Sequence, residues 1–169
     1  LLQLTAALLC AVILSACGGT PADADYTCTV SISCATILDN MDQCAESKKE
    51  LVPADGVILP PTEVAFAEGE SAFDVLQRVC RDNGIHLESK FTPVYNSAYI
   101  QGIHNIYEFD VGKLSGWMYA VNDWFPNYGC SLYQVQDGDV IRWVYTCDLG
   151  ADVGGGQAAG DGQQEGAST

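Results

Sequence analysis

The residues best placed to do chemistry are aromatic and close together. Trp117, Tyr119, Trp124, Phe125 and Tyr128 fall in one short stretch. Such side chains offer large apolar faces with polar edges, suited to stacking on a flat ligand or a partner surface. Asn122-Asp123 lies among them and reads as a two-residue turn, because both residue types tolerate positive φ. That turn sets residue 119 opposite 126 and residue 117 opposite 128. Trp117, Tyr119, Trp124, Pro126 and Tyr128 then share one face. Two readings of that face compete: it is the core side of a sheet, which large aromatics normally seek, or it is an exposed binding platform. Tyr95, Asn96 and Tyr99 form a second polar-aromatic cluster in a predicted loop, where recognition groups commonly sit. The plainer reading of that cluster is loop packing through hydroxyl hydrogen bonds.

Catalytic signals are weak. Ser71 has no neighbouring histidine, and a helix N-cap role explains it. Asp137 and Asp139 bracket Gly138 as turn residues do, and the rest of a calcium loop is missing. There is no glycine-rich phosphate loop. His86 and His104 stand apart from every cysteine, and no Cys-x-x-Cys occurs, so neither a metal site nor a resident cofactor is expected. The expectation is a binding protein and not an enzyme.

The chain of 169 residues carries 22 acidic and 7 basic side chains, a net charge of −15. That excludes a nucleic-acid module, which needs a basic face, and electrostatic adsorption to anionic lipid. Eight cysteines point to an oxidising compartment. Leu4 to Leu14 is an almost purely apolar run, too short to span a bilayer but long enough for a signal-peptide core. Leu14-Ser15-Ala16-Cys17-Gly18 follows and looks like a bacterial lipoprotein box. Residues 1–16 are thus expected to be a signal peptide, with Cys17 lipidated and the protein anchored to the cell membrane on its extracytoplasmic side. An ordinary secretion signal is the alternative. Residue 1 is Leu and no basic segment precedes the run, so an N-terminal truncation is expected. Residues 17–25 read as the lipidated cysteine and a flexible spacer, and 151–169 as a disordered Gly-rich tail.

Six cysteines remain: Cys28, Cys34, Cys44, Cys80, Cys130 and Cys147. Cys28 and Cys34 are about 20 Å apart on one extended strand and cannot bond. Cys130 and Cys147 flank a second predicted hairpin and become same-face diagonal neighbours within reach of a disulfide. The other four leave three pairings open.

The elements that position these residues follow from periodicity. Residues 28–34 alternate as a half-buried strand. Residues 37–51 show roughly helical spacing. A short strand over 56–59 ends at Pro60-Pro61, and 62–67 forms another. Ser71 with Asp74 predicts a capped helix over 72–82, stopped by Asn83-Gly84. Strands are predicted at 85–91 and at 99–109, the latter broken at Gly102. Two hairpins follow: 117–121 with 124–128, and 131–135 with 140–145 around Asp137-Gly138. The fold class is α+β, a mixed sheet with one main helix on one face.

Several segments carry a family resemblance: ISCATILDNMD (32–42), ELVPADGVIL (50–59), GESAFDVLQRVC (69–80), YNSAYIQGI (95–103), LSGWMYAVNDWFPNYGC (114–130) and DGDVIRWVYTCDLG (137–150). Over residues 26–150 the chain resembles the transcobalamin-like C-terminal domain family, most of whose members are bacterial surface proteins without assigned function. The resemblance implies a β-grasp-like fold. It also suggests a corrinoid as candidate ligand, since in transcobalamin the corresponding domain closes over one face of cobalamin beside a helical-barrel domain. Only a short spacer separates Cys17 from this domain, so the expectation is half of the usual pocket, to be completed by a partner chain. The alternative is a protein- or glycan-interaction module for adhesion at the cell surface.

Overall fold

A computed structural model describes residues 24–155. The expected signal peptide, the lipidated Cys17, most of the spacer and the distal tail lie outside the described residues.

The first sheet has the order β2-β1-β7-β6. It is built from β1 (Tyr26–Ser33), β2 (Val57–Phe66), β6 (Gly116–Val121) and β7 (Val140–Thr146). β1 runs antiparallel to β2 and parallel to β7, and β6 runs antiparallel to β7. The alternation read in β1 is present: Cys28, Val30, Ile32 and Cys34 are buried. The helix α1 (Ala72–Asp82) occupies its predicted range. The Asp74 carboxylate accepts from the Ser71 backbone N–H, and the Ser71 hydroxyl accepts from the Asp74 N–H, a reciprocal cap. Val75, Leu76, Val79 and Cys80 bury one stripe of α1 in the same core as the β1 and β7 side chains. Hairpin, helix and a returning strand parallel to β1 make the arrangement α+β and β-grasp-like. A second, antiparallel sheet has the order β3-β4-β5, formed by β3 (Leu87–Thr92), β4 (Ser97–Ile103) and β5 (Ile106–Tyr107).

Several elements differ from the sequence reading. Residues 37–51 form two short 3-10 helices, Ala35–Asn40 and Glu46–Leu51, instead of one α-helix. Asn and Asp side chains compete for the backbone here; the Asn40 amide donates to the Thr36 carbonyl. Pro60-Pro61 does not end a strand. β2 is the sheet edge, both prolines are exposed, and the β1–β2 register shifts beside them, so their missing N–H groups face no partner. The break between β4 and β5 falls at His104-Asn105, both at positive φ, and not at Gly102. Gly102 instead makes room for the Tyr107 ring, 2.8 Å from where its Cβ would sit.

Each C-terminal hairpin loses one arm, 124–128 from the first and 131–135 from the second. The Asn122-Asp123 turn exists, with φ of 50° and 66°. Trp124 closes it against Val121, but 125–128 then leaves the sheet. β6 pairs with β7, so Trp117 lies opposite Tyr145 and Tyr119 opposite Trp143. Residues 131–135 form no strand; Gln134 makes a single bridge to Ser71. The register that predicts a Cys130–Cys147 disulfide is therefore absent, and both are free thiols. The Cys130 thiol donates to the Ala98 carbonyl on β4 at 3.6 Å, whereas Cys147 follows the end of β7. The start of the expected tail is also ordered. Ala151–Val153 form a 3-10 turn whose Asp152 carboxylate accepts from the Cys147 N–H at 2.7 Å.

Candidate functional site

Burial divides the aromatic cluster. Trp117, Tyr119 and Phe125 are buried, while Trp124 is 52 % and Tyr128 41 % exposed. The first two lie on the same side of the sheet as their cross-strand neighbours in β7, where Trp117 packs edge-on against Tyr145 and Tyr119 stacks on Trp143. The Trp117 indole donates to the Ile106 carbonyl at 2.8 Å, which ties the two sheets together. Phe125 packs beside Gly155. The single shared face is thus overturned. Trp117, Tyr119 and Phe125 are buried; the β6 aromatics share the buried side of the sheet with Tyr145 and Trp143, which large aromatics normally seek.

The exposed members do meet the second cluster. Tyr95, Tyr99 and Tyr128 line one groove of about 330 Å³ with Thr92, Ser97, Ala98, Pro126, Asn127, Gly129 and Leu132. One wall is the turn joining β3 to β4, where Asn96 adopts φ of 46°, a conformation its short amide tolerates. Asn96 shapes this wall but is not among the lining residues. The other wall is the 126–132 loop. Trp124 stands beside it, edge-on to Tyr128 with ring centres 5.9 Å apart.

Hydrogen bonds hold the walls in place. The Ser97 and Ser131 hydroxyls pair at 2.8 Å, and the Ser131 oxygen accepts from the Ala98 N–H at 3.0 Å. Gly129 packs so close to Ser97 that a Cβ there would lie 1.8 Å from its hydroxyl oxygen. The buried Tyr119 hydroxyl donates to the Tyr128 carbonyl at 2.9 Å, so a core residue sets the position of a groove residue. Farther along, the Asp139 carboxylate accepts from Asn122, from the Tyr133 hydroxyl and from the Gln136 N–H, which fixes the long connection between β6 and β7.

No lining side chain carries a charge, in a chain of net charge −15. The nearest acid acts from behind: the Tyr99 hydroxyl donates to Glu108, and burial together with that carboxylate pushes the phenol up to about 12. The groove therefore offers neutral aromatic faces and hydroxyls. A separate hollow beside Tyr26 and Phe66 is lined instead by Glu68, Asp137, Gln134 and Gln136. The thiols are withdrawn from chemistry. Burial pushes Cys28, Cys34, Cys80 and Cys130 up to about 12 and Cys147 up to about 11. Among the described residues, no three His, Cys, Asp or Glu side chains gather as a metal ion would require.

Sequence reasoning missed Ser97, Gly129, Ser131 and Leu132. The Gly129 signal lay in the Asn127-Tyr-Gly-Cys segment, where a glycine amid bulky residues marks close backbone approach.

Residues 69–147, which hold α1, both groove walls and β7, match the family described as a domain of unknown function (DUF4430). No curated protein matches the chain. Among solved structures, haptocorrin in complex with Cbi superposes with a TM-score of 0.53 at 13% identity, over 80% of this chain and 28% of that one. A protein of Ruminococcus gnavus ATCC 29149, provisionally named as metal binding, gives a TM-score of 0.42 at 14% identity, over 72% of this chain and 97% of that one. The chain thus spans little more than a quarter of the haptocorrin chain, and it shares the fold of that part.

Proposed function

We propose that this is a non-enzymatic, lipid-anchored domain on the extracytoplasmic face of the membrane that binds a small molecule, with a corrinoid as the ligand class. The observation that carries the reading is the uncharged groove between the β3–β4 turn and the 126–132 loop. In a chain this acidic, a neutral aromatic recess selects a ligand by stacking and hydroxyl contacts and not by charge. The likeness to haptocorrin, whose structure holds Cbi, and the resemblance to transcobalamin-like domains support a flat macrocycle. Size decides how much of it is held. About 330 Å³ is at the low end of the roughly 300–1,000 Å³ typical of small-molecule pockets. A corrinoid exceeds that, so the groove grips one edge and a partner chain covers the rest.

The test is a titration of the chain carrying Cys17→Ser with several corrinoids, read by thermal shift and by the visible spectrum of the ligand. Ligand at 100 times Kd stabilises by about 2.7 kcal/mol. Saturable stabilisation that disappears in Tyr95→Ala, a side chain 72 % exposed and so dispensable for folding, supports the reading. Absence of any shift or spectral change at near-millimolar ligand overturns corrinoid binding by this domain. One observation favours a second reading, a protein- or glycan-interaction module: exposed Trp124 extends the aromatic surface beyond the groove. Capture of a surface partner that corrinoids do not compete away, and that Trp124→Ala abolishes, would favour it.

A further inference from the structure

Each sheet ends in strands whose outward N–H and C=O groups could template another chain, and the protein protects them unequally. β2 is blunted by Pro60 and Pro61, β6 is largely buried along its length, and β5 is only two residues long. β3 is different. It is six residues long, contains no proline, and among the described residues pairs only with β4, on one side. Phe91 sits opposite the partly buried Ala98 and Ser89 opposite the buried Ile100, so 87, 89 and 91 form the core-side face. Yet Phe91 is 59 % exposed, because among the described residues no strand pairs with β3 on its outer side.

The occupant that fits this edge is written in its own sequence. Leu87-Glu-Ser-Lys-Phe91 is self-complementary when run antiparallel about Ser89. That register sets Leu87 opposite Phe91 of the second copy, Glu88 opposite Lys90, and Ser89 opposite itself. The two Leu–Phe pairs fall on the core-side face and the two Glu–Lys pairs on the other. Lys90 makes no ion pair among the described residues, while Glu88 accepts from the Tyr107 hydroxyl at 2.8 Å and is held on its face. We infer that two copies of this chain associate through β3, joining their three-stranded sheets into one six-stranded sheet across a two-fold axis at Ser89.

A pair of six-residue strands is a small contact beside standard interfaces of about 1,200–2,000 Å², so the dimer is weak and dissociates on dilution. The test is sedimentation equilibrium of the full chain across micromolar to near-millimolar concentration. A concentration-dependent doubling of mass is expected. Glu88→Lys turns two attractive cross-strand pairs repulsive and weakens the dimer on the order of 30-fold. Lys90→Glu does the same. The double variant restores association, because the swapped charges again face each other. All three variants change exposed side chains, and unaltered thermal unfolding of the diluted protein confirms intact folding. A monomer at every concentration overturns the inference. So does a dimer indifferent to either charge reversal, or one that the double variant fails to restore.

Discussion

Gly129→Ala isolates the contact that builds the groove. Gly129 is not among the residues at positive φ, so the substitution adds no backbone strain and acts only through its Cβ. That atom would lie 1.8 Å from the Ser97 oxygen and 2.3 Å from the Ser97 Cβ, against ordinary contacts of about 3.5 Å or more. Loop and strand must part by well over about 1 Å. The separation breaks the Ser97–Ser131 bond and the bond from the Ala98 N–H to Ser131. Two such bonds contribute about 0.5–1.5 kcal/mol each, and a stranded buried donor costs about 1–3 kcal/mol. The expected loss is about 2–4 kcal/mol, or roughly 8–16 °C in Tm for a domain of this size. Urea unfolding followed by tryptophan emission measures it. The steric cause has its own control. Ser97→Gly removes both atoms in conflict, and the next neighbour, the Ala98 carbonyl oxygen, is at 3.6 Å. In that background Gly129→Ala should cost less than about 0.5 kcal/mol, a coupling of at least about 1.5 kcal/mol. Equal costs in the two backgrounds would refute the reasoning.

Three further outcomes follow from the core. With reductant present, the thiols of Cys28, Cys34, Cys80 and Cys130 keep their protons to about pH 12 when folded, against an ordinary 9.0. Above pH 9 the unfolded chain binds fewer protons than the folded one, so this stabilisation is complete below pH 9 and is lost as pH rises toward 12. Each thiol removes up to about 1.4 kcal/mol per pH unit in that window; urea midpoints that stay flat to pH 11 would contradict it. Ser71→Ala deletes the hydroxyl of the reciprocal cap and should cost about 0.5–2 kcal/mol by thermal unfolding. Tyr145→Phe deletes the bonds to the Tyr107 carbonyl and the Ser115 hydroxyl, each of which keeps another partner in Asp110, Gly112 or Val111, for about 0.5–1.5 kcal/mol per bond by urea unfolding, while leaving groove binding unchanged.

Local signals were legible wherever one residue type admits one solution. Ser71, Asp74 and Gly84 gave α1 to the residue, since capping satisfies backbone groups within a single turn. Asn122-Asp123 likewise fixed its turn. Partners were harder to read. After Trp124 the sequence continues Phe-Pro-Asn-Tyr, which alternates well enough for a second arm. Yet Val140 to Thr146 is a stronger β-former and takes the place beside β6. Both predicted hairpins failed for that one reason, and the Cys130–Cys147 pairing failed with them. Pro60-Pro61 misled in the opposite direction. A proline pair forbids a central strand, but an edge strand loses nothing by it, and edge position is a property of topology that no local window contains.

The candidate site shows the same division between residue and placement. Tyr95, Tyr99 and Tyr128 were identifiable as candidate recognition residues because large polar aromatics offer stacking faces and hydroxyls. That they face each other across one groove depends on the chain leaving the sheet at Phe125. Phe125 is buried beside Met118 and Gly155, and this anchor turns residues 126–132 back toward β4 instead of along β6. Gly129 and Ser131 then lock the returning loop onto Ser97. Trp117 and Tyr119 are spent on the core in the process, but not without consequence for the groove. The Tyr119 hydroxyl holds the Tyr128 carbonyl, and the Trp117 indole holds the β5 carbonyl of Ile106. Removing the Tyr119 hydroxyl by Tyr119→Phe should therefore loosen Tyr128 while leaving the stacking on Trp143 in place. Ligand affinity should fall by about three- to tenfold, in step with one hydrogen bond of about 1 kcal/mol, with a change in stability no larger than that. If affinity is untouched while stability drops, the hydroxyl serves the core alone, and the groove is positioned by its serines.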